Sequence, residues 1–138
     1  MATDLYQIAD TLLDAWNRHD IERILSLYAP DHRGEDVSQA SPIQGHHGIA
    51  RAVSTILQAF PDLSFTNEEL VIQDDRLAIA WVMRGTHQGV VMNIPPTQRS
   101  VHVRGSSFFT INNGKIMRSL HIWDVAGLLR AIRLLPDL

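Results

Sequence analysis

Cysteine is absent from this 138-residue chain. That excludes disulfide staples, thiolate metal sites and cysteine nucleophiles, and it suits a reducing compartment. Positive charge is in deficit: 12 Lys and Arg stand against 15 Asp and Glu, a formal net charge of -3. There is therefore no electrostatic case for a nucleic acid or an anionic membrane surface as partner. No stretch approaches the roughly 20 apolar residues of a membrane-spanning helix. Residues 1–16 carry Asp4, Asp10 and Asp14 and lack a basic segment ahead of an apolar core, so no signal peptide is expected. Internal repeats, low-complexity tracts and linkers are missing too. What is present, 45% hydrophobic and 20% charged residues, is ordinary for a globular domain with one core. The expectation is a single domain over residues 1–138, located in the cytoplasm.

Hydrophobic spacing divides the chain in two. Leu5, Ile8, Ala9, Leu12, Leu13 and Trp16 recur at intervals of three and four, which predicts an amphipathic helix capped by Thr3 or Asp4. Asp20 is placed to cap a second short helix carrying Ile21, Ile24, Leu25 and Leu27, with Pro30 as its stop. Residues 31–45 are polar and contain Gly34, Pro42 and Gly45. They predict an irregular, mobile lid with at most one short strand. A third helix is expected from about 46 to 60, ended by Pro61. From there the period becomes two, predicting strands at about 64–73, 76–87, 99–112 and 115–123, then a helix at 125–134. Asp74-Asp75 and Asn113-Gly114 are hairpin turn sequences. Helices followed by antiparallel strands give the α+β class.

Four segments fall in a telling order: Phe60-Pro61-Asp62-Leu63, Gly85-Thr86-His87-Gln88-Gly89, Asn93-Ile94-Pro95-Pro96-Thr97 and Asn113-Gly114-Lys115-Ile116. In these the chain resembles the SnoaL-like polyketide cyclases from about residue 8 to 132. That family lies in the superfamily of nuclear transport factor 2, scytalone dehydratase and ketosteroid isomerase. The resemblance implies a cone-shaped, barrel-like α+β fold, a strongly curved sheet around one deep pocket. It also implies cofactor-independent acid/base chemistry with an aspartate near the end of the last strand. Asp124-Val125-Ala126-Gly127-Leu128-Leu129 matches the family's Asp-x-x-Gly-Leu-Leu segment.

Strand parity adds candidates independently. A three-residue loop at 112–114 would set Ser107 opposite Ser119 and Gly105 opposite His121, whereas a two-residue turn would bring His121 beside Ser106. In the first register Ser107, Ser119, His121 and Trp123 share one face, as a pocket wall of mixed character would need. His121, with an unperturbed pKa near 6.5, is a candidate general base. Asp124 is the other candidate, with helix capping as its alternative role. His87 or Ser107 could donate to a substrate oxygen, and Trp81, Met83 and Trp123 could form a flat apolar wall. His102 and Arg104 fall on the opposite parity, and Arg84 could pair with Glu68 or Glu69. Asp31, His32, Glu35, Asp36 and His46-His47 fit no metal-ligand signature, although His32 and Asp36 could reach substrate from the lid. No metal or cofactor is implied.

The resemblance implies an enzyme that abstracts a proton from a carbon acidified by carbonyl groups, for cyclisation or isomerisation of a small apolar or polyketide-like substrate. An epoxide hydrolase or dehydratase would use the same parts. A non-catalytic binding or interaction module is the other class. The test that separates them is whether two titratable side chains project into one enclosed apolar cavity. Strands 76–87 and 99–112 carry apolar residues on both parities, which predicts burial of both sheet faces and a homodimer.

Overall fold

Helix α1 (Leu5–Asn17) starts where Asp4 accepts the amides of Tyr6 and Gln7, two of the first turn's orphan donors. The coordinates are a computed structural model in which residues 4–137 are described. Ile8, Ala9, Leu12 and Ala15 are the buried stripe of α1. Asp20 caps α2 (Ile21–Ser26) through the Arg23 amide, and α3 (Gly45–Ala59) buries Ile49 and Val53. Helix α4 (Val125–Ala131) follows the last strand, shorter at its end than the spacing predicted. None of these helices is long and apolar enough to cross a membrane.

One sheet carries the rest. Its strands are β1 (Tyr28–Asp36), β2 (Ile43–Gln44), β3 (Ser64–Gln73), β4 (Arg76–Thr86), β5 (Ser100–Asn112) and β6 (Lys115–Trp123). Their order across the sheet is β2-β1-β6-β5-β4-β3, so the sheet is open, and only the β1–β6 pairing is parallel. The helices cover one face over two apolar clusters. One is centred on Leu12, Ile24, Ile49, Leu77, Phe109 and Ile116, the other on Phe60, Leu63, Met83, Val103, Leu128 and Ile132. The fold is thus α+β with helices packed on a sheet, as the helix-then-strand order predicted, and the sheet is mixed and six-stranded.

Three local expectations are corrected. The predicted lid is largely strand: β1 runs to Asp36, and only the segment between Asp36 and Ile43 is loop. Of the polar residues that suggested a loop, Asp31 and Glu35 point to the outer face while His32 and Gly34 point inward. Pro30 is no helix stop but lies within β1 where its register against β6 shifts, a place where a missing amide is tolerated. The β5–β6 hairpin also has its own register. Asn113 (φ 51°) and Gly114 (φ 75°) are both left-handed, and Asn112 pairs with Lys115. That geometry is the two-residue type I′ turn.

A bulge then intervenes: Ile111 pairs with Ile116, but Thr110 pairs with Arg118, leaving Met117 as the extra residue. Beyond it Ser107 faces His121 and Gly105 faces Trp123. The turn and the bulge together shift the expected register by two, so the side chains keep their faces. Arg84 reaches His102 and Thr66 rather than an acidic residue. It is Arg104 that pairs with Glu68, at 3.1 Å and exposed, a contact of small energetic weight.

Candidate active site

The helix-covered face opens into a cavity of about 520 Å³, large enough for a multi-ring small molecule. Trp16 of α1, Phe60 after α3, Phe65 of β3 and Trp81 of β4 supply much of the apolar wall. Phe65 stands edge-on between Trp16 and Trp81, with centroids 5.2 and 5.3 Å away. Asn17 holds this end together, donating from its side-chain amide to the Phe65 carbonyl and accepting the Phe65 amide. Met83 and Trp123 also line the cavity.

The polar groups in the lining converge from adjacent strands. Ser107 of β5 and His121 of β6 are facing partners, and the Ser107 hydroxyl is 2.7 Å from His121 Nδ1. The Trp81 indole donates to the same hydroxyl at 3.0 Å. On the other side of β6, Asp36 of β1 is His121's partner in parallel register, so both side chains leave the sheet on one face a single strand spacing apart. Asp36 accepts the Trp123 indole N–H at 3.0 Å and the amide and hydroxyl of Ser38 at 2.9 and 2.6 Å. Burial pushes the His121 pKa below that of a free imidazole, and the Asp36 charge partly counters it. His121 is therefore a neutral ring near pH 7.

The remaining predicted site residues lie elsewhere. Asp124 accepts the Gly127 amide at 2.8 Å and caps α4, and it is not in the cavity lining. His87 is completely buried. Its Nδ1 accepts the Thr97 amide at 3.3 Å and meets the Thr97 hydroxyl at 3.0 Å. It closes the base of the loop 88–98, and that loop in turn supplies Val91 and Met92 to the cavity. His32, expected on a lid, is buried in β1 with Nε2 2.8 Å from the Ser119 hydroxyl. Burial, helped by the charges of His121 and His46, lowers its pKa to about 4. His102 and Arg104 are exposed on the outer face.

Asp36 is the residue that sequence reasoning undervalued. The signal available was the alternation His32, Gly34, Asp36, an inward parity that becomes legible once β1 is recognised as a strand. Gly105 was overlooked as well: a Cβ there would overlap the Trp81 ring and crowd Trp123. Glycine at 105 leaves room for the Trp81 ring and the Trp123 Cβ, which flank it from the strands on either side.

Comparison with solved structures finds the same fold in other proteins. AclR from Streptomyces galilaeus, described as a candidate hydroxylase, superposes with a TM-score of 0.86 at 24% identity, covering 96% of this chain and 83% of that one. TsrD from Streptomyces laurentii gives a TM-score of 0.88 at 23% identity, over 97% of this chain and all (100%) of that one. IdmH from Streptomyces antibioticus, a candidate polyketide cyclase, gives 0.82 at 24% identity, covering 94% and 99%. At these identities the likeness concerns the fold alone. Comparison with curated proteins gives no match. The SnoaL-like polyketide cyclase family matches residues 6–132, nearly the whole chain, and with its helices over an open sheet and an aromatic-walled cavity between them the chain belongs to that family.

Proposed function

We propose that this protein is a cofactor-independent acid/base enzyme that deprotonates an uncharged, multi-ring carbonyl compound for aldol-type cyclisation or isomerisation. The observation that supports it is the convergence of Asp36 and His121 on one cavity whose remaining walls are mostly aromatic and aliphatic. A container for a ligand has no need of two ionisable groups side by side in an apolar space, where each costs desolvation. No Arg or Lys lines the cavity among the described residues, so an anionic substrate would find no counter-charge there, and an uncharged one fits. The required parts are a positioned base, a donor to the developing oxyanion and exclusion of water. They correspond to the cyclase reading of the sequence, with Asp36 in the place first given to Asp124. The proposal extends to assembly: the outer sheet face pairs with a second copy of the chain.

The test uses a bicyclic ketone with acidic α-hydrogens, 2-tetralone, in deuterated buffer, with exchange at the α-carbon followed by NMR. The wild-type protein is expected to accelerate exchange over buffer. The double variant Asp36→Asn/His121→Gln should lose about 10²-fold or more of that acceleration, while Asp124→Asn, which still caps a helix, should keep it. Equal exchange by the wild type and the double variant, both folded by circular dichroism, would favour a binding module.

A further inference from the structure

One indole N–H reaches Asp36 directly and another reaches the serine that contacts His121, and together they determine which atoms are left for substrate. An indole can only donate, so the Ser107 oxygen is the acceptor in its 3.0 Å contact with Trp81. Ser107 is 5% exposed, and its own proton needs an acceptor. His121 Nδ1, at 2.7 Å, is the one the structure supplies. With Nδ1 accepting, the neutral imidazole carries its hydrogen on Nε2, the nitrogen that makes no hydrogen bond within the described protein. A ring in that state presents a donor to the cavity, not a lone pair.

Asp36 is arranged the opposite way. Three donors converge on Oδ1: the Ser38 amide, the Ser38 hydroxyl and the Trp123 indole. Oδ2 receives only the longer arm of the indole contact, at 3.2 Å. One oxygen is thus saturated, and the other keeps its lone pairs for a proton.

We infer that Asp36 is the base, acting through Oδ2, and that His121 is a neutral Nε2–H donor to the substrate oxygen, held in that tautomer by Trp81 and Ser107. The assignment rests on the acid/base reading above and divides its labour. The substrate's α C–H bond breaks, its proton passes to Asp36 Oδ2, and its electron pair moves onto the carbonyl oxygen, which accepts the His121 hydrogen bond. The enolate carbon then attacks a second carbonyl of the same molecule. The new C–C bond leaves an alkoxide, which takes the proton back from Asp36. His121 begins and ends neutral, consistent with a ring that burial disfavours charging. Trp81 and Ser107 are positioning residues.

Two measurements test this. In protein labelled with ¹⁵N-histidine, the wild-type His121 is expected to show an unprotonated Nδ1 and a protonated Nε2 near pH 7. Ser107→Ala should mix the two tautomers, an effect that simple loosening of the strand would not produce. A proton on Nδ1 in the wild type would overturn the inference. In the 2-tetralone assay, Asp36→Asn should lose about 10²-fold or more. His121→Ala should lose about 10²–10³-fold, as when an oxyanion donor is removed, and His121→Gln should recover most of that, because its amide still donates. His121→Gln as inactive as His121→Ala, with Asp36→Asn active, would make His121 the base and overturn the division of roles while leaving the enzyme reading intact. No exchange by the wild type would remove both.

Discussion

His32 shows at the scale of one residue how the fold acts on a titratable group. It is 1% exposed and packs edge-on to Tyr28 with centroids 4.8 Å apart. The positive charges that His121 and His46 would carry also oppose its protonation, so the folded state keeps it neutral down to about pH 4. The unfolded chain protonates a histidine near 6.5. Between those values the unfolded state binds more protons, so the stability present above pH 6.5 is lost as the pH falls toward 4, at up to about 1.4 kcal/mol per pH unit. His121 is shifted in the same direction and adds to the slope below its ordinary pKa. Urea titrations at pH 7 and pH 5 should therefore show a lower midpoint at the acidic value. His32→Gln, able to keep the bond to Ser119, should flatten that dependence, and an unchanged slope in this variant would contradict the assignment.

Among the elements, β1 was the least legible and carries the most weight. Its sequence mixes a proline, a glycine and five charged or histidine side chains, all of which read as loop when no neighbouring strand is known. Its pairing explains them: Asp31, Arg33 and Glu35 alternate onto the outer face of a strand with only two-residue β2 beyond it, where charge on an edge discourages unwanted pairing. Hydrogen exchange should accordingly be slow for the amides of β1 that bond to β6 and fast at Ala40 and Ser41, whereas uniform rapid exchange from 31 to 45 would restore the lid.

The strands with clean alternation, β3 to β6, and helices α1 and α3 were readable from period alone, because each has one face against the core. The site was only half readable for the same reason. Parity put His121 and Trp123 on one face, and Ser107 joined them in one of the two registers considered, but Asp36 comes from a parallel neighbour that hairpin logic never reaches. His87 and Asp124 lie outside the cavity lining, because a motif fixes position in the chain and not the direction of a side chain.

For the whole molecule, the proposed dimer puts the outer face of the sheet to the test. A row crosses four strands there, Val71 opposite Ala78, Ala78 opposite Phe108 and Phe108 opposite Leu120, with Ile122 beside it. Val71, Phe108 and Ile122 are 60%, 46% and 44% exposed, an apolar surface that a two-fold contact would bury. Sedimentation at micromolar concentration should give twice the 15.5 kDa chain mass, and Phe108→Lys should yield the monomer; a wild-type monomer would leave this face without a partner. The parallel pairing of β1 with β6 has a kinetic side as well. The Asp36–Trp123 contact spans 87 residues, with every other strand of the sheet lying between them in the chain. Closing a loop of that length is slow compared with forming the local hairpins β3–β4 and β5–β6. The cavity's polar end is therefore assembled late in folding, and an intermediate with both hairpins formed would already hold Ser107 against His121 while still lacking the carboxylate.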